Sequence, residues 1–91
     1  MIDVKQAAQS ATVFFNELYR DQIATNVLLE EVELIEDGKF WLITLSFELP
    51  PTLALATFPI RAKRQYKTFK VDTQTGQVVS MKIRELEYGV S

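Results

Sequence analysis

The dipeptide Asp37-Gly38, set between two runs rich in apolar and β-branched residues, constrains the fold more than any other stretch of this chain. Asp-Gly favours the positive φ angles of a two-residue type I′ turn, whose twist matches that of the strands it joins. The turn predicts a hairpin over residues 28–47 and fixes its register: Ile35 opposite Phe40, Leu34 opposite Trp41, Val32 opposite Ile43 and Leu28 opposite Phe47. Side chains alternate between the two faces of a strand. One face then collects Leu28, Val32, Leu34, Trp41, Ile43, Leu45 and Phe47, with Glu30 its single charge; the other carries Glu31, Glu33, Thr44, Ser46 and Glu48 together with Leu29, Ile35, Phe40 and Leu42. The first face needs a cover.

Residues 3–20 supply one. Val4, Ala7, Ala8, Ala11, Phe14, Phe15 and Leu18 recur at helical spacing and form a single apolar stripe. Asp3 with Gln6 three positions later matches a capping box, which places the start of the helix. Small alanines near the start allow close approach to the sheet, and Phe14, Phe15 and Leu18 are expected to fill the wider gap beyond.

Beyond the hairpin, residues 49–59 combine three prolines with Leu53, Leu55 and Phe58. Prolines forbid a regular strand there, so this apolar loop either caps its own core or presents those three side chains to a partner. A third strand is expected over residues 60–72, a turn at Asp72-Thr73-Gln74-Thr75-Gly76, and a fourth strand over residues 78–86. The expected fold is α+β: an N-terminal helix packed across one face of a four-stranded antiparallel sheet, an α-β-β-β-β meander. With 91 residues, it is one domain.

Composition narrows the chemistry. Cysteine and histidine are both absent, which removes disulfides, thiol nucleophiles, imidazole bases and the usual ligands of zinc, haem or iron–sulfur centres. No cofactor or metal is expected. The amino terminus has no secretion-signal pattern and no apolar run long enough to span a bilayer, so a cytoplasmic protein off the membrane is expected.

Two clusters invite a functional reading. Arg61, Lys63, Arg64, Lys67 and Lys70 gather within ten positions and could meet nucleic acid or another anionic ligand. With a net charge of −2 and a single well-placed aromatic, Tyr66, nucleic acid is the weaker expectation. Glu31 and Glu33 share a strand face about 6.6 Å apart, a spacing seen in paired catalytic carboxylates, but nothing in the sequence supplies a cleft or a substrate platform. The chain is not expected to be an enzyme.

Residues 66–81 resemble the second half of PepSY-type domains: an extended strand, a turn of the form Asp-x-x-Thr-Gly and a valine opening the next strand, here Asp72, Thr75, Gly76 and Val78. The preceding helix and Trp-containing strand are similar in order to PepSY-type and broader cystatin-like modules. The resemblance implies a cystatin-like fold and a noncatalytic binding or inhibitory role, a plan that several bacterial immunity proteins share.

The sequence therefore points to a noncatalytic protein-binding or regulatory module. Its expected contact residues are Leu29, Ile35, Phe40 and Leu42 on the uncovered sheet face and Leu53, Leu55 and Phe58 in the apolar loop, with a protein partner or a second copy in a homodimer as the occupant.

Overall fold

A computed structural model of the chain describes residues 1–20, 24–48 and 64–84. In order these form helix α1 (Val4–Leu18), strand β1 (Thr25–Ile35), a tight turn (Glu36–Gly38), and strands β2 (Phe40–Glu48), β3 (Arg64–Asp72) and β4 (Val78–Ile83). The strands make one antiparallel sheet in the order β1-β2-β3-β4, with α1 against one face. The expected α+β arrangement is the one observed.

The helix begins where its capping box places it. The Gln6 N–H donates to the Asp3 carboxylate at 2.8 Å, and the Asp3 N–H donates to the Gln6 side-chain oxygen at 3.0 Å. Ala7, Ala11 and Phe15 are buried, a row stepping by four residues. Such rows are inclined to the helix axis. The row therefore continues at Tyr19, whose ring stacks on Phe15 at 4.7 Å and lies 5.2 Å from Phe47, and not at Leu18, which is exposed. This corrects the expectation that Leu18 fills the core. Phe15, Ile43, Leu45, Phe47, Phe69 and Val71 form its centre.

The amino terminus is tied to the turn end of the sheet through Thr73, whose side chain is fully buried. The Ile2 N–H donates to the Thr73 carbonyl at 2.8 Å, and the Trp41 indole N–H donates to the Ile2 carbonyl at 3.2 Å. The Thr73 hydroxyl lies 2.8 Å and 3.0 Å from the carbonyls of Gly38 and Lys39, its two acceptors. One residue thus joins both turns to the start of the helix.

Both turns form where the sequence places them. Asp37 and Gly38 have the expected positive φ, 54° and 87°, and the Lys39 N–H donates to the Glu36 carbonyl at 3.1 Å, but Glu36 is left-handed as well, with φ of 50°, so the loop between the strands is wider than the two residues expected. In the second turn the Asp72 carboxylate accepts from the N–H groups of Gln74 and Thr75, and Gly76 takes a φ of 76°.

Register departs from expectation in β1. Residues 31–35 pair with 44–40 as the turn dictates, but a bulge between Leu29 and Glu31 shifts Leu28 and Leu29 by one position, and a second irregularity before Leu28 shifts Thr25 by one more. Leu28 stands opposite Ser46, not Phe47, and Leu29 stands opposite Leu45. The faces assigned to Leu28 and Leu29 are therefore exchanged. β4 has the same kind of irregularity: Val78 pairs with Val71 and Ser80 with Lys70, leaving Val79 as the extra residue.

Candidate functional site

The sheet face away from the helix mixes polar groups with Leu28, Ile35, Phe40 and Leu42. It carries Glu30, Glu31, Glu33, Thr44, Ser46, Glu48, Arg64, Thr68, Lys82 and Arg84, and the charged groups there are largely satisfied by one another. The buried Ser46 hydroxyl donates to the Glu30 carboxylate at 2.6 Å and accepts from Arg64 Nη1 at 2.7 Å. Arg64 Nη2 donates to Glu48 at 2.9 Å. The hydroxyls of Thr44 and Thr68 meet at 3.0 Å, and above them Arg84 reaches over the face to pair with Glu31. A shallow depression of about 280 Å³ lies around Glu31, Glu33, Thr44, Thr68 and Arg84.

One of the expected contact residues on the sheet changes face, and the other three keep theirs. Leu29 belongs to the helix side, and Ile35, Phe40 and Leu42 are half-buried, with the Lys70 ammonium 4.3 Å above the Phe40 ring. Leu28, 50% exposed, joins them on the face away from the helix. Leu53, Leu55 and Phe58 lie outside the described residues.

The basic run is divided in the same way. Arg64 and Lys70 point to the polar face and are ion-paired with Glu48 and Glu36, each at 2.9 Å, whereas Lys67 stands opposite Leu45 on the helix side. Alternation along β3 separates what proximity in sequence had grouped. Arg61 and Lys63 lie outside the described residues.

A further group of exposed apolar side chains lies on the helix side of β1. Helix α1 packs over β2, β3 and β4, so the helix-side residues of β1 extend beyond its cover. Leu29, Val32 and Leu34 are 54%, 44% and 43% exposed although their partners Leu45, Ile43 and Trp41 are buried or half-buried. Among the described residues β1 pairs with β2 alone, so its outer edge has backbone donors and acceptors facing outward. The regular part of that edge is residues 31–35: apolar Val32 and Leu34 toward the helix side, acidic Glu31 and Glu33 toward the polar side. Glu33 has no ion-pair partner among the described residues.

A second groove, of about 520 Å³, runs between α1 and the β3–β4 turn and is lined by Ile2, Gln6, Ser10, Phe14, Gly76 and Val78. It has less chemical character than the β1 edge. Among the described residues no group of acidic side chains is placed to hold a metal ion, and no helix is long and apolar enough to cross a membrane.

Sequence reasoning put Val32 and Leu34 under the helix because periodicity along one strand does not say how far across the sheet the helix reaches, and by assuming unbroken alternation it misplaced Leu28, Leu29 and Glu30. The signal was present: the apolar residues of the helix side are spaced three apart at Leu29 and Val32 and two apart at Val32 and Leu34. A step of three in a strand marks an inserted residue. Comparison with known proteins found no matching family model and no significant similarity to a curated protein or a solved structure.

Proposed function

We propose that the domain is a noncatalytic protein-binding or regulatory module whose recognition element is the outer edge of β1. The observation that carries this is the pairing of exposed Val32 and Leu34 with well-covered neighbours on an edge strand that is regular over residues 31–35. Another strand beside them would bury those side chains. Strand addition provides it: main-chain hydrogen bonds supply affinity, and alternate side chains supply selectivity.

The edge also specifies what it accepts. An incoming strand places every second side chain beside Val32 and Leu34 and the others beside Glu31 and Glu33. The matching segment alternates apolar residues with lysine or arginine.

Isothermal titration with two six-residue peptides tests this, one alternating valine with lysine and the other alternating valine with glutamate. The lysine peptide is expected to bind, more weakly as salt rises, and the glutamate peptide is expected not to bind. Equal binding of both, or binding of neither, contradicts the proposal.

A further inference from the structure

The strand that fits the β1 edge occurs in this chain. β4 is the opposite edge of the sheet, and among the described residues it pairs with β3 alone. Its regular part alternates in the required manner: Met81 and Ile83 on the helix side, Lys82 and Arg84 on the polar side. Ile83 is 71% exposed, the Arg84 N–H continues the ladder by donating to the Tyr66 carbonyl, and Lys82 has no ion-pair partner among the described residues.

We infer that the partner of the β1 edge is β4 of a second copy of this chain, joined head to tail. This rests on the proposed role of the β1 edge and names its occupant. The directions agree. Successive strands are antiparallel, so β1 and β4 run oppositely, and a copy displaced sideways brings its β4 antiparallel to β1 with both helices on the same side of the extended sheet.

The register agrees as well. Placing Val32 opposite Ile83 sets Leu34 opposite Met81, Glu31 opposite Arg84 and Glu33 opposite Lys82, so that apolar meets apolar and acid meets base at four consecutive positions. Residues 31–35 and 80–84 are the stretches of the two edges free of bulges. Two-fold pairing of like edges fails by the same measure. β1 against β1 brings Glu31 and Glu33 together with their own copies, and β4 against β4 does so for Lys82 and Arg84, placing like charges directly opposite. In the single chain Arg84 pairs with Glu31 over the polar face; association exchanges that contact for one with the neighbouring copy and adds a partner for Glu33 and Lys82.

A head-to-tail contact is heterologous, so it builds rings or open chains, not a closed two-fold dimer. The interface is small, and assembly is therefore sought by sedimentation velocity from micromolar concentration to about 1 mM. Four samples decide it: the native chain, Glu33→Lys, Lys82→Glu, and an equimolar mixture of the two variants. Both sites are exposed, and circular dichroism verifies that each variant is folded. The native chain is expected to gain mass with concentration and each variant alone to remain monomeric. The mixture is expected to assemble again, because the lysine introduced at position 33 of one variant then faces the glutamate introduced at position 82 of the other. A native chain that stays monomeric throughout, or variants that assemble as it does, overturns the inference. The lysine peptide separates this failure from that of the underlying role: a monomeric chain that binds the peptide loses its self-partner but keeps its edge site, and one that binds nothing loses both.

Discussion

Val32 and Ile43 are directly opposed across the β1–β2 ladder, yet Ile43 is 0% exposed and Val32 is 44% exposed. The boundary of the helix's cover falls between them. Ile43→Ala is expected to destabilise the fold by about 2–5 kcal/mol, through lost transfer energy and the cavity left behind. Val32→Thr removes apolar surface that already meets water and is expected to change stability by only about 0.5 kcal/mol while weakening binding at the edge. Urea unfolding of the two variants, set beside the peptide titration, separates core from contact surface.

Trp41 is the single tryptophan, and its indole N–H holds the Ile2 carbonyl. Trp41→Phe keeps an aromatic ring but removes that bond, at an expected cost of about 0.5–1.5 kcal/mol. In the native chain the same indole serves as a fluorescence reporter of helix docking.

Thr73 has a second kind of leverage, because its fully buried hydroxyl serves the carbonyls that end the first turn. Thr73→Val preserves shape and takes the hydroxyl donor from the Gly38 carbonyl, while the Lys39 carbonyl keeps the Thr73 N–H at 3.0 Å. The expected loss is about 1–3 kcal/mol, measurable as a lower urea midpoint with unchanged slope.

Gly76 sits at a φ of 76°, where a Cβ would meet Ile2 and Ser10 at 3.8–3.9 Å. That distance is ordinary contact, so the cost of Gly76→Ala comes from the left-handed backbone alone, about 1–2 kcal/mol. A much larger loss in thermal unfolding would mean that the space beside α1 is tighter than the geometry indicates.

With Arg64 and Lys70 neutralised and Lys67 on the other side of the sheet, the described part of the basic run forms no continuous positive stripe. A gel shift with single- or double-stranded DNA or RNA is expected to show no complex even at low salt, where phosphate contacts are strongest.

Local chemistry made much of this fold legible in the sequence. The Asp3–Gln6 cap, the Asp37-Gly38 turn, the register from Glu31 to Ile35 and the order of four strands all follow from rules acting over a few residues. Features that depended on global placement did not follow. The bulge at Glu30 inverted the faces of Leu28 and Leu29, since one inserted residue reverses every side chain beyond it. The lateral position of α1, packed mainly over β2 to β4, goes with the packing of the Phe15, Tyr19 and Phe47 rings, which periodicity along one strand does not encode. Of the apolar residues anticipated on the far side of the sheet, Ile35, Phe40 and Leu42 are there, whereas Leu29 stands on the helix side at the β1 edge.

Amide hydrogen exchange at residues 31–35, with and without the valine–lysine peptide, tests the central claim most directly. At a peptide concentration ten times its Kd, the outward-facing amides of this stretch are predicted to exchange about tenfold more slowly, while those along α1 and the β3–β4 turn stay unchanged. Protection that appears in the groove between α1 and the β3–β4 turn, or nowhere, would contradict the assignment of the β1 edge as the binding site.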